Sequence, residues 1–221
     1  MRDFPFDVVG FDLDGTLIDT HEDLAAAVNH ALALTGRKPV PAGDVRKLVG
    51  GGARLMLERA LTLTGGVPDE VDDLHRELLA FYEANIAVHS RLFPGGLAVL
   101  DGLAARGVKL AVATNKLEAL AVRLFDELAL TDRFAAIVGG DTLGLARRKP
   151  KPDMLLEMVR RAGGGRAAYV GDSSFDTGAA RAAGLPCVAV SFGFNDMPVA
   201  ALGATVTIDH FDALIPTLAA L

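Results

Sequence analysis

Phe11-Asp12-Leu13-Asp14-Gly15-Thr16-Leu17-Ile18-Asp19 follows directly on an apolar run, Phe6 to Phe11, broken only by Asp7. That run has the length and composition of a buried strand. Asp12 therefore stands at the strand's C-terminal end, where open α/β sheets bind their ligands. Asp14 comes two residues later, and Gly15 permits a sharp turn. Side chains at i and i+2 share a face of an extended chain, so Asp12 and Asp14 converge if the strand geometry continues. Two close carboxylates repel unless a cation or a shared proton relieves them. An ordinary turn rich in Asp and Gly is the alternative, and the stretch alone leaves both open.

Beyond Asp19 the pattern turns helical. Leu24, Val28, Ala31 and Leu32 make one apolar stripe, which Gly36 and Pro39-Val40-Pro41 interrupt. After Gly50-Gly51-Gly52, the residues Leu55, Leu57, Ala60 and Leu61 resume a helix that ends at Gly65-Gly66 and Pro68. Val71, Leu74, Leu78, Phe81, Asn85 and Val88 predict an amphipathic helix of about five turns. No strand is evident from Asp19 to Arg91. After Phe93-Pro94-Gly95-Gly96 the period changes. Strands are expected at Val108–Ala113, Ala135–Val138, Ala167–Val170, Cys187–Val190 and Thr205–Ile208. Helices are expected at Leu97–Arg106, Leu117–Leu128, Asp153–Ala162, Phe175–Ala183 and the C-terminus. This alternation predicts an α/β fold, a doubly wound, Rossmann-like parallel sheet with helices on both faces. Residues 1–19 and 93–221 form that core. Residues 20–92 form an all-helical bundle inserted after the first strand, hinged at Thr20 and Phe93-Pro94-Gly95.

Composition narrows the function. The 221 residues are 51% hydrophobic, enough for a sizeable core. No apolar run reaches membrane-span length. Met1-Arg2-Asp3-Phe4-Pro5 lacks the apolar stretch of a signal peptide, so a cytoplasmic location is expected. Net charge is −6 with no basic block, which argues against nucleic acid as a partner. Cys187 is the only cysteine, so a disulfide within the chain and a cysteine metal cluster are excluded. Its neighbours suggest a core thiol on a buried strand.

The expected strand ends carry the chemistry. Asp12 and Asp14 follow the first, Thr114-Asn115-Lys116 the second. The loop after the third ends in Arg147-Arg148-Lys149-Pro150-Lys151-Pro152, and Gly171-Asp172-Ser173-Ser174-Phe175-Asp176 follows the fourth. In a parallel sheet these ends share one edge. Helix caps at Thr114 and Asp172, or a solvated basic loop at Lys149 and Lys151, would each explain one piece. They do not explain all four together.

With these residues in order across the chain, the sequence resembles the haloacid dehalogenase superfamily of phosphohydrolases. Asp12-Leu13-Asp14-Gly15-Thr16, Thr114, Lys149, and Gly171-Asp172 with Asp176 match its four motifs. Within it, the stretches Asp12 to Thr20, Thr114-Asn115-Lys116, Lys149-Pro150-Lys151-Pro152 and Gly171 to Gly184 look most like the phosphoglycolate phosphatases. Sugar phosphatases, a pyrophosphatase and phosphosugar mutases share these phrases. The resemblance implies that Asp12 attacks phosphorus to form an aspartyl-phosphate that water hydrolyses. It implies Mg²⁺ held by the Asp12 and Asp172 carboxylates and the Asp14 backbone carbonyl. Asp176 would stand in the second layer. Asp14 would protonate the leaving oxygen and later deprotonate water. Thr114, Asn115 and Lys149 would bind the phosphoryl group. Lys149 holds the first place of the Lys-Pro-x-Pro phrase, whereas Lys151 holds the variable one.

The helical insertion resembles the family's mobile cap, expected to choose a small phosphorylated metabolite. Gly50-Gly51-Gly52 offers close backbone approach at a helix N-terminus, where an anion is favoured, with Gly51 as the contact. Arg54, ahead of Arg46 and Lys47, is expected to meet a substrate carboxylate. A flexible turn with a solvated arginine is the alternative. His21 and Asn195 are further candidates. No Gly-Lys-Ser/Thr follows the glycines, so they are not an NTP-binding loop. Asp14 argues against a dehalogenase, whose first motif lacks that second aspartate. A phosphosugar mutase and a catalytically silent binding module remain as competing readings. A monomer or a homodimer is expected.

Overall fold

The computed structural model describes residues 4–221. Met1 to Asp3, part of the stretch read as lacking a signal peptide, lie outside the described residues. The chain opens with β1 (Val8–Phe11) and a short β2 (Ile18–Asp19). The helices α1 (His21–Leu34), α2 (Ala42–Val45), α3 (Ala53–Leu63) and α4 (Val71–Ala84) follow, then β3 (Arg91–Leu92). Strands and helices then alternate through α5 (Gly96–Ala105), β4 (Lys109–Ala113), α6 (Glu118–Glu127) and β5 (Ala136–Val138). The rest comprises α7 (Asp153–Arg161), β6 (Ala167–Gly171), α8 (Ser174–Ala183), β7 (Cys187–Val190), β8 (Val206–Ile208) and α9 (Leu214–Ala219).

Six strands form one parallel sheet in the order β5-β4-β1-β6-β7-β8. Strands buried on both faces need apolar residues at successive positions, and the inner strands β4, β1, β6 and β7 have them. Val9, Phe11, Leu110, Val112 and Val170 pack with α5, α6 and α9, while Val8, Ala111, Ala113 and Tyr169 pack with Met154, Leu155 and Met158 of α7. Cys187 belongs to the second layer, and burial pushes its thiol far up, so it stays protonated. The chain leaves β1 on one side toward β4 and β5, then returns to its other side at β6. This reversal makes the crevice beside β1 the ligand position of the doubly wound fold. The register sets Phe11 level with Val112 and Val170. Asp12, Thr114 and Asp172 therefore emerge together.

Two local expectations need correction. Ile18–Asp19 and Arg91–Leu92 pair as an antiparallel ribbon at the two ends of the helical segment. Two-residue strands are too short to register as a period. The helix expected to reach Val88 stops at Ala84. There Asn85 donates to the Phe81 carbonyl, and the His89 and Ser90 N–H groups and the Ser90 hydroxyl all turn to the buried Asp23 carboxylate. Between the ribbon strands, α1 packs on α3 and α4. Among the described residues, no helix is long and apolar enough to cross a membrane.

Candidate active site

Asp12 leaves β1 with its N–H bound to the Val170 carbonyl, and extended geometry ends there. The Leu13 carbonyl accepts from Thr16, Leu17 and Ile18, folding the next residues into a tight loop. Gly15 has φ 83°, and a Cβ there would lie 2.4 Å from Asp172 Oδ2, so the turn requires glycine. This loop separates the two aspartates. Asp12 points to the sheet edge beside Asp172 and Asp176, whereas the Asp14 carboxylate turns to other partners. The shared face expected for i and i+2 does not form, because the strand has ended.

Lys149 anchors the first group. Its Nζ stands 2.8 Å from Asp12 Oδ1, 2.6 Å from Asp176 Oδ1 and 3.0 Å from the Tyr169 hydroxyl. Burial alone would push the ammonium down, but Asp12 and Asp176 hold it above its ordinary range. Asp176, in the first turn of α8, accepts from the Ser173 N–H and hydroxyl at its other oxygen, closing a capping box. Asp172 accepts from Thr16 Oγ1 at 3.0 Å and the Phe194 N–H at 2.6 Å. Burial raises its carboxyl well above the ordinary value, and the nearby Asp176 and Asp12 add to the rise. Burial likewise pushes Asp12 up to about 7, against the opposing pull of Lys149.

These three carboxylates fit a divalent cation. One oxygen from each of Asp12, Asp172 and Asp176 lies within 4.8 Å of the others. Among the described residues, buried Asp12 Oδ1 has the Lys149 ammonium as an ion-pair contact at 2.8 Å but no hydrogen bond of good geometry. A buried acceptor in that condition calls for a partner. An all-oxygen, carboxylate-rich set suits hard ions.

Asp14 occupies a second centre. Lys116 Nζ contacts both its oxygens, at 2.8 and 2.9 Å, and Thr20 Oγ1 donates at 2.7 Å. Lys116 also lies over the Tyr82 ring from α4, 4.6 Å from the centroid. Burial works against the Lys116 charge, but Asp14 and Tyr82 keep its pKa above the ordinary value. Lys116 was expected at the second strand end but without a role, and Tyr82 was not expected at the site. Lys116 offered a faint signal, two residues past Thr114 after a strand. Tyr82 offered none, because the expected apolar stripe of its helix ran through Phe81, whereas the structure buries Tyr82 beside Leu74 and Leu78.

Thr114 is buried behind this pair and accepts from the Lys116 N–H. Asn115 bridges the two halves of the molecule. Its Nδ2 donates to the carbonyls of Gly50 and Lys149, and its Oδ1 accepts from the Lys149 N–H. Between sheet edge and helices lies a cavity of about 280 Å³, walled by Asp12, Asp14, Tyr82, Thr114, Arg54 and Arg148 among others. Gly50 and Gly52 line it, but Gly51 does not. Arg54 reaches the wall with its guanidinium already held by Glu58 and Asp72. Arg46 turns away to the Phe192 and Gly193 carbonyls and lies over the Phe194 ring. Lys47 pairs with Asp44 on the surface.

Arg148 also escaped the sequence reading. Among the described residues it has no carboxylate partner, and its Nε donates to the Leu145 carbonyl. A Cβ on Gly52, where φ is 92°, would lie 2.7 Å from Arg148 Nη1, so the guanidinium rests on the glycine turn. His75 of α4 lines the same cavity. Burial and then Arg54 lower its pKa against the opposing charges of Asp72 and Glu58, with Arg148 adding to the fall. His21 pairs with Asp19 at 2.6 Å beside the ribbon. Asn195 braces the loop behind the site by donating to the Asp172 and Val190 carbonyls.

Comparisons with known proteins agree with this geometry. The sequence profile described as haloacid dehalogenase-like hydrolase matches residues 9–190. A phosphoglycolate phosphatase of Agrobacterium fabrum is 45% identical over 212 residues, covering 94% of this chain and 90% of that protein. The crystal structure of a predicted phosphoglycolate phosphatase from Haemophilus somnus 129pt superposes with a TM-score of 0.88 at 28% identity. That match covers 98% of this chain and 99% of the other. The structure of CbbY from Rhodobacter sphaeroides in complex with phosphate superposes with a TM-score of 0.78 at 26% identity, covering 95% and 96% of the two chains.

Proposed function

The chain belongs to the haloacid dehalogenase-like hydrolases, and from that membership we propose a Mg²⁺-dependent cytoplasmic phosphatase that converts 2-phosphoglycolate to glycolate and orthophosphate. The observation that carries the reading is Asp12. It is a buried carboxylate at the sheet edge, whose Oδ1 meets a lysine as an ion pair without a hydrogen bond of good geometry. The phosphoglycolate phosphatases at 40–45% identity supply the substrate.

In this reading the Asp12 carboxylate attacks phosphorus, a P–O bond forms to Asp12, and the P–O bond to glycolate breaks. Asp14 gives its proton to the departing oxygen. Water then attacks the phosphorus of the aspartyl-phosphate and Asp14 takes the water's proton, which releases orthophosphate and restores Asp12. Lys149, Thr114 and Asn115 hold phosphoryl oxygens or the groups that position them. The Asp12 and Asp172 carboxylates and the Asp14 backbone carbonyl would hold Mg²⁺, which would supply charge relief for the approach of carboxylate to phosphate dianion. Asp176 meets Lys149 with one oxygen and Ser173 with the other, which suits a role in positioning Lys149.

Residues 20–92 act as a cap that closes over residues 1–19 and 93–221, with the β2–β3 ribbon as its hinge. Of the two cavity arginines, Arg148 rather than Arg54 meets the substrate carboxylate, because Glu58 and Asp72 already balance Arg54. Gly51 contributes no cavity surface, so the backbone of Gly50 and Gly52 takes the approach expected of it.

The test is a panel of phosphorylated metabolites assayed with Mg²⁺ for orthophosphate release, with product analysis. The expected result is highest kcat/KM for 2-phosphoglycolate. Isomerised sugar phosphate without free orthophosphate would make the protein a mutase, and no turnover of any ester would make it a binding module.

A further inference from the structure

We propose that Tyr82 determines substrate specificity by donating its phenol O–H to an acceptor oxygen on the organic part of the phosphomonoester. This rests on the reading of the cavity as a site for a carboxylate-bearing ester. Tyr82 of α4 lines the cavity and is only 2% exposed. Among the described residues its buried hydroxyl makes no hydrogen bond of good geometry. Lys116 is its polar neighbour, over the ring face. An ammonium group only donates, so even a contact from Nζ to the phenol oxygen leaves the phenol's own proton without an acceptor. The cavity is lined by Leu24, Met56, Leu78 and Leu120 together with polar groups such as Asp14 and Thr114, and the Asp14 and Asp23 carboxylates act on the phenol by charge without accepting its proton. Burial pushes the phenol up to about 12, so the proton is present at neutral pH. A buried donor left unsatisfied is costly and calls for an explanation. An acceptor that arrives with the substrate provides one.

The location says which part of the substrate brings that acceptor. Lys116 joins Tyr82 to Asp14, the carboxyl assigned to the leaving oxygen, while Lys149 and Asp172 serve the phosphoryl side. The phenol therefore borders the leaving alcohol. A carboxylate one carbon from the ester oxygen, as in 2-phosphoglycolate, presents an anionic acceptor there. Ethyl phosphate has the same carbon chain and presents none.

The experiment compares the unaltered protein with Tyr82→Phe, which keeps the ring under Lys116 and deletes only the hydroxyl. Steady-state kcat/KM is measured with Mg²⁺ for 2-phosphoglycolate and ethyl phosphate, and thermal melting without substrate. The expected result is a fall of about ten- to a hundredfold in the ratio of kcat/KM for 2-phosphoglycolate over ethyl phosphate, the loss of a hydrogen bond to a charged group. The melting temperature should stay level or rise, because an unpaired buried hydroxyl has been removed. A ratio equal to that of the unaltered protein overturns the inference. So does a fall of several degrees in melting temperature, which would mean that the hydroxyl is already paired in the resting protein. If the unaltered protein itself does not prefer 2-phosphoglycolate over ethyl phosphate, the substrate reading fails, and the inference with it.

Discussion

Asp12 and Asp14 are separated by one residue, yet their surroundings differ in kind. Asp12 lies against two further carboxylates and a lysine that meets its Oδ1 without hydrogen-bond geometry. Asp14 is clamped by Lys116 and Thr20. The two conservative amides should therefore fail differently. Asp12→Asn should abolish turnover and weaken Mg²⁺ binding, since an amide is a poor nucleophile and a poor ligand. Asp14→Asn should keep Mg²⁺ affinity and lose about a hundred- to ten-thousandfold in kcat through lost proton transfer. Metal titration beside steady-state kinetics separates the two, and a collapse of Mg²⁺ affinity in Asp14→Asn would make that carboxylate a ligand. The arginines also divide at this scale. Arg148→Ala should lower kcat/KM for 2-phosphoglycolate by about ten- to a hundredfold, the value of a charge-assisted contact. Arg54→Ala should cost about threefold or less, as expected of a partly exposed pair. Comparable losses for both would return Arg54 to the substrate.

At the scale of elements, apolar packing and several polar contacts join the helical segment to the sheet edge. Asn115 reaches the Gly50 carbonyl, Lys116 meets the Tyr82 ring, and Arg46 reaches Phe192, Gly193 and Phe194. Arg46 touches a loop whose Phe194 N–H donates to Asp172, so the helical segment and the Asp172 carboxylate are joined through that loop. Arg46→Ala should lower kcat/KM by about five- to tenfold, the scale of one or two hydrogen bonds. The loss should be equal for 2-phosphoglycolate and ethyl phosphate, because Arg46 meets no substrate. A loss confined to the carboxylate ester would place Arg46 in recognition instead. Helix α4 was over-extended at its end for a reason visible only in three dimensions, since Asp23 of α1 captures the backbone of His89 and Ser90.

For the whole molecule, the crowded carboxylates tie stability to pH and to metal. The Asp12 carboxyl is pushed up to about 7 by burial, and Asp172 is raised by burial and by its acidic neighbours. A carboxyl raised on folding favours the folded state below its unfolded value, near 4, and that advantage is lost as pH climbs through its folded value. The metal-free protein should thus lose melting temperature between about pH 4 and 7. Mg²⁺ at a hundred times its Kd should restore about 5–10 °C at pH 8. At pH 5 it should restore less than half as much, because the ligands must shed protons to bind. Scans with and without Mg²⁺ at both pH values check this, and an equal shift at both would show that these carboxyls do not titrate on binding. Strand periods, glycine turns and the carboxylates, threonine and lysine at strand ends were legible in the sequence. Each depends on local rules of alternation, turn conformation and parallel-strand polarity. The family followed from their order. The sequence could not show that Asp14 parts from Asp12, since that depends on where the strand stops. Nor could it show that Lys116 and Tyr82 meet, that Arg54 is already balanced, or that Arg148 is not. Those are encounters between distant segments, decided by how the helices pack across the sheet edge, and no local period encodes them.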